Sequence, residues 1–111
     1  MTGLSTHVLD TMHGRPASGM TVALIGPDGE IGRGITDADG RCPGLAPAAL
    51  AAGRYTLRFS VAGYYRAVGV PLPDPPFLDE VAIDFGIAAD GGHYHVPLLV
   101  SPFAYSTYRG S

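Results

Sequence analysis

The chain has 111 residues, 46% of them apolar and 15% charged, which fits one folded domain with a single core and a lightly charged surface of the kind oligomers carry. Ten acidic residues against seven arginines and no lysine give a net charge of −3, and no basic run or aromatic-flanked basic patch occurs, so nucleic acid is not an expected partner. No stretch reaches the length of a membrane span, so no membrane partner is expected either.

Sixteen glycines and ten prolines punctuate short runs of period two, the mark of an all-β sandwich with little helix. Leu4, Thr6 and Val8 alternate with Ser5, His7 and Leu9 in a first strand that stops near Asp10, before the Gly14 and Pro16 loop. Met20 to Ile25 reads as the second strand, and Gly26-Pro27-Asp28-Gly29 as the turn returning it to Glu30–Thr36 as a hairpin. Asp39-Gly40 is the next turn. Residues 42–53, rich in Pro, Ala and Gly, read as a loop holding at most one short strand and a helical turn over Pro47–Ala52.

Tyr55, Leu57, Phe59 and Val61 face one way and Thr56, Arg58 and Ser60 the other, which defines the clearest strand. Tyr64–Val68 lacks alternation and reads as a short surface helix, and Pro71–Pro76 must be irregular because proline cannot donate to a ladder. Val81, Ile83, Phe85 and Ile87 share another inward face. Gly91-Gly92 turns the chain into two last strands, His93–Val100 and Ala104–Arg109. No repeat or composition shift divides the chain, so residues 1–111 are expected to form one domain of seven or eight strands.

Cys42, the single cysteine, cannot form an intrachain disulfide and reads as a small buried apolar residue. With no charged and apolar leader pattern after Met1, the cytoplasm is the expected location. In His93-Tyr94-His95-Val96-Pro97-Leu98-Leu99-Val100 the apolar set falls on one face and both histidines on the other. By the same parity His7 faces outward from the first strand. Each taken singly is an ordinary surface histidine; several on one face can do acid/base chemistry if something covers them, and a second subunit would. Two histidines without a third ligand do not make a metal site, and no metal or other cofactor is expected. His13 reads as a solvated turn residue, and Arg41 by position alone as a rim charge. No nucleophile elbow, phosphate-cradling glycine loop or cysteine-histidine signature is present, which removes the usual covalent hydrolases and nucleotide enzymes and leaves direct attack by water open.

Three segments resemble one family. Leu4-Ser5-Thr6-His7-Val8-Leu9-Asp10-Thr11 with Gly14-Arg15-Pro16-Ala17 is similar to the N-terminal signature of the transthyretin-like 5-hydroxyisourate hydrolases. Asp39-Gly40-Arg41 resembles their arginine turn, and the run from His93 through Ser101-Pro102-Phe103-Ala104-Tyr105 to Tyr108-Arg109-Gly110-Ser111 resembles their C-terminal signature. Phe77-Leu78-Asp79-Glu80 departs from the Phe-Pro-Glu type of run found at that point in the family.

The resemblance implies a transthyretin-like β-sandwich of two four-stranded sheets with one short helix, assembled as a homotetramer, a dimer of dimers. It implies hydrolysis of the small molecule 5-hydroxyisourate in urate breakdown, with His7, Arg41 and His95 catalytic and His93, Tyr108, Arg109, Gly110 and Ser111 lining the substrate. Two other readings are a transthyretin-like small-molecule carrier and a non-catalytic β-sandwich binding module. The histidines, Arg41 and the terminal tetrapeptide argue against the first, and the second leaves the chain's two ends unexplained.

Overall fold

The computed structural model describes residues 2–110; Ser111, one of the expected substrate-lining residues, lies outside them. In chain order the elements are β1 (Thr2–Ser5), β2 (Val8–Asp10), β3 (Arg15–Pro16), β4 (Thr21–Gly26), β5 (Gly29–Ile35), β6 (Gly53–Ser60), α1 (Val61–Ala67), β7 (Glu80–Ile87), β8 (Gly92–His95), β9 (Leu98–Val100) and β10 (Tyr105–Thr107). They build two four-stranded sheets, ordered β10-β9-β2-β3 and β5-β4-β6-β7, and a two-stranded ladder β1-β8. This is the all-β, transthyretin-like sandwich with one helix that the resemblance implies.

The first expected strand is interrupted at Thr6-His7 and the penultimate one at Val96-Pro97, yet the two runs stay paired across both breaks. Val96 N donates to the Ser5 carbonyl and Leu98 N to the His7 carbonyl, each at 2.9 Å. β1-β8 and β2-β9 are therefore one parallel ladder, in which Ser5 stands opposite His95 and Val8 opposite Leu98. Pro97, which has no N–H to donate, sits at the interruption, and its carbonyl accepts from Thr107 Oγ1 at 2.7 Å.

The period-two faces of both sheets meet in the core. Val8, Val22, Leu24, Leu57, Phe59 and Leu98 are all fully buried, and each such side chain contributes about 1.5–3 kcal/mol by leaving water. Cys42 is buried too, with its sulfur against Gly34, where a Cβ would stand only 2.7 Å away.

Two segments differ from expectation. Pro47–Ala52 makes no helical turn; Leu50 instead bridges Thr2, donating and accepting at 2.7 and 3.0 Å, so a distant backbone partner overrides the local alanine preference. The helix begins at Val61, three residues before the expected start, and it is not a surface helix, because Tyr64 and Tyr65 are buried. Their hydroxyls donate to Asp10 at 2.7 and 2.9 Å, and the same carboxylate accepts from His13 Nδ1 at 2.6 Å. His13 is thus tied to a buried acid while its ring edge stays in solvent.

Candidate active site

β1-β2 passes between two other stretches of chain, and that arrangement assembles the site. On one side His7 forms an antiparallel bridge with Arg41; on the other, the parallel ladder brings His95 opposite Ser5. Beyond His95 the chain returns once more, with Gly110 bridged to it and Gly110 N donating to the His95 carbonyl at 2.7 Å. The order across the surface is Arg41, His7, His95, Gly110. Directly paired residues point to the same side of a sheet, as do residues two apart on one strand. Arg41, His7, Ser5, His95 and His93 therefore share one face. Two residues of rise and one strand spacing separate His7 from His95, about 8 Å between backbones, which imidazoles on one face can span with a small substrate between them.

Thr6, between Ser5 and His7, points the opposite way into the core, where its hydroxyl donates to the Val96 carbonyl at 2.7 Å. A buried hydrogen bond of this kind locks the strand against a one-residue slip that would turn both histidines inward.

Arg41 is presented by a turn built from side-chain as well as backbone bonds. Asp37 Oδ1 accepts from the backbone N–H of Asp39 at 2.9 Å and of Arg41 at 3.0 Å, and Asp37 N donates to the Arg41 carbonyl at 2.8 Å. Gly40 holds φ at +77° and packs where a Cβ would run into the Val8 carbonyl, so only glycine fits. His7 Nε2 lies 2.7 Å from the Asp39 carbonyl. A carbonyl can only accept, so His7 Nε2 carries a proton, and in the neutral ring the lone pair is on Nδ1.

His95 is half-buried. Its burial, reinforced by the positive charge of Arg41 and by His7 and His93, holds its pKa below the usual histidine value of 6.5. It is a neutral base at neutral pH. Its Nδ1 is 2.8 Å from Ser5 Oγ, which leaves Nε2 to face outward, and Ser5 Oγ is also 2.8 Å from His93 Nε2. Arg41 is exposed, and a cleft of about 330 Å³ runs beside it past Leu4, Ser5, Thr6 and Cys42.

Of the expected site residues, His7, Arg41, His93, His95 and the backbone of Gly110 come together on this face. Tyr108 and Arg109 are placed differently within the chain. The Arg109 guanidinium stacks on the Tyr94 ring, 3.8 Å from its centroid, and both residues line a separate cleft with Ile83, Phe85 and Val96. The reason is parity: Tyr94 points away from its neighbours His93 and His95, and it carries Arg109 with it. Two residues that sequence reasoning left aside also belong to the site. Asp37 was legible as the start of an Asp-x-Asp-Gly turn; Ser5 gave no local signal, because its partners lie 88 and 90 residues away.

The chain is similar to known proteins over its whole length. A profile of the HIUase/Transthyretin family matches residues 4–110. A 5-hydroxyisourate hydrolase of Caulobacter vibrioides is 50% identical, covering 100% of both chains. The solved structure of Klebsiella pneumoniae 5-hydroxyisourate hydrolase superposes with a TM-score of 0.87 at 37% identity, over 100% of this chain and 94% of that one. An (S)-allantoin synthase structure superposes with a TM-score of 0.90 at 39% identity, over 99% of this chain but 44% of the longer one.

Proposed function

The chain belongs to the HIUase/Transthyretin family, and from that membership and the histidine-arginine face we infer that it is a hydrolase that opens the ring of 5-hydroxyisourate in urate breakdown. The product is 2-oxo-4-hydroxy-4-carboxy-5-ureidoimidazoline. One observation carries the chemistry: a neutral, half-buried imidazole, His95, shares a face with His7 and Arg41.

His95 acts as the general base. Its free Nε2 draws a proton from the water that attacks the ring carbonyl, and no covalent intermediate forms. His7, with Nε2 tied to the Asp39 carbonyl, orders that water through Nδ1 or, when protonated there, hands a proton to the leaving nitrogen. Arg41 holds the flat, oxygen-rich substrate and stabilises the oxyanion as the carbonyl becomes tetrahedral, an effect worth a few kcal/mol, roughly 3–4, in a covered site. The Gly110 backbone lies along the His95 ring and keeps it in place. In this reading Tyr108, Arg109 and Ser111 line the substrate from a neighbouring chain or after closure.

The cover is a second subunit. We propose that residues 1–111 form one domain that assembles as a homotetramer, a dimer of dimers, in the cytoplasm. Exposed Ile35, Phe103 and Tyr105 support it, since self-association would remove such large apolar side chains from water. Light scattering at micromolar concentration tests the assembly: a mass of four chains is expected, and a monomer overturns it.

The test of the activity is the ultraviolet decay of 5-hydroxyisourate, freshly generated from urate, with and without the protein at equal pH and buffer. Acceleration over the spontaneous rate is expected. Binding without acceleration would make the protein a carrier.

A further inference from the structure

Ser5 stands at the centre of a hydrogen-bonded row that the reaction as described does not use. Its single hydroxyl lies 2.8 Å from His95 Nδ1 and 2.8 Å from His93 Nε2. A hydroxyl has one proton, so it donates to one imidazole and must accept from the other. Only two neutral arrangements satisfy both contacts. In the first, His95 Nδ1–H donates to Ser5 Oγ and Ser5 O–H donates to His93 Nε2. In the second, every proton has moved over: His93 Nε2–H donates to Ser5, and Ser5 donates to His95 Nδ1.

These arrangements are catalytically different. The first leaves the lone pair of His95 on Nε2, the atom facing the site, and the second puts a proton there. The backbone is shaped to hold the row together. Gly3, paired with His93, leaves room for its ring, since a Cβ at Gly3 would stand 2.8 Å from His93 Nδ1. Two residues on, Ser5 is paired with His95.

We propose that Ser5 is a positioning residue that sets the tautomer of His95 and relays its proton to His93. The inference rests on the reading of His95 as the general base. When His95 Nε2 takes a proton from the attacking water, its Nδ1–H bond breaks as an O–H bond forms at Ser5. The original Ser5 O–H bond breaks as an N–H bond forms at His93 Nε2. No electron is gained or lost overall. His95 ends neutral, with its proton on Nε2 ready for the leaving nitrogen, and the positive charge resides on His93. When His95 gives up that proton, the same row runs in reverse.

The charges around the row give the relay its direction. His95 faces Arg41 from the loop after β5, His7 from the β1-β2 junction and His93 on its own strand; Gly110, on its other flank, is uncharged. An imidazolium at His95 is disfavoured by burial and by those neighbours, whereas His93 is exposed and water stabilises its charge.

The experiment compares purified wild type, Ser5→Ala, Ser5→Thr, His93→Gln and His95→Ala in steady-state turnover of 5-hydroxyisourate. Long-range proton–nitrogen NMR of the imidazoles reports the tautomer of His95. Ser5→Ala is expected to lower kcat on the order of 10- to 100-fold with KM within about twofold, because a base without its orienting partner loses the productive tautomer. Its His95 nitrogen shifts change, His93→Gln lowers kcat with the fold intact, and Ser5→Thr, which keeps the hydroxyl beside the open cleft, restores rate and shifts together. Wild-type kcat in Ser5→Ala, or unchanged His95 nitrogen shifts in that variant, overturns the relay. If His95→Ala is inactive while Ser5→Ala is not, only the relay fails; if His95→Ala turns over normally, the general-base reading itself fails.

Discussion

Gly110 packs against the His95 side chain, so close that a Cβ built on the glycine would stand 2.7 Å from Cδ2 and 3.2 Å from Cγ. The imidazole is flanked by this backbone on one side and held by the Ser5 hydroxyl at Nδ1. Its position is thus set by two segments far apart in the sequence. Gly110→Ala should push the ring out of line and lower kcat on the order of tenfold or more, since misplacement of a reacting group by about 1 Å can cost 10²-fold. Stability should change by less than about 0.5 kcal/mol, as for other substitutions outside the core. Parallel turnover and urea-melt measurements check this; wild-type turnover would show that the ring does not depend on the glycine.

Arg41 has a guanidinium that can meet a flat substrate with two parallel donors, and lysine cannot reproduce that fork. Arg41→Lys keeps the charge and should still lose on the order of 10²-fold in kcat/KM. Arg41→Ala should lose more. Equal rates for wild type and Arg41→Lys would reduce the role of Arg41 to a point charge.

The pH dependence follows from the direction of the His95 shift. Burial and the neighbouring Arg41, His7 and His93 hold its pKa below 6.5, and the base works only when deprotonated. Activity should therefore rise with pH through a midpoint below 6.5 and be level near neutrality. A profile of kcat/KM against pH from 5 to 9 measures this. An acidic limb centred above 6.5 would contradict the assignment of His95 as base.

Asp10 anchors the helix to the sheet that carries His7, and its carboxylate is fully enclosed. Burial raises its pKa, but bonds from His13, Tyr64 and Tyr65 outweigh that and hold it below 3.8. A carboxyl with a depressed folded-state pKa contributes stability above its unfolded pKa and loses it as pH falls through the folded value. That contribution should be intact at neutral pH and be lost progressively as pH falls from about 3.8 through the lower folded value. Asp10→Ala leaves the buried Tyr64 hydroxyl without its Asp10 acceptor, while Tyr65 retains the Val100 carbonyl at 2.8 Å. A loss of about 1–3 kcal/mol at pH 7 is expected in urea titration; wild-type stability would mean that the network relaxes around the gap.

Much of the site was legible because strand parity is a local property. Alternation alone put His7 on the face opposite Thr6 and Val8, and His93 and His95 opposite Tyr94 and Val96, and those assignments hold in the fold. For the last residues the expectation came from the resemblance and not from parity, and within the chain Arg109 stacks on Tyr94 at the other cleft. The helix was half legible: the run without alternation marked it, but nothing near Tyr64 or Tyr65 announced that a carboxylate 54 and 55 residues away would bury them.

The amino-acid order by itself determined the period-two strands, the glycine and aspartate turns that end them, and the sidedness of each histidine, because these depend on neighbours within a few residues. Only the tertiary structure decided that residues 2–10 run parallel to residues 92–100, that Arg41 bridges to His7, and that Ser5 joins His93 to His95. Pairing between distant strands is selected by burial of the whole sandwich, and no single segment contains that information.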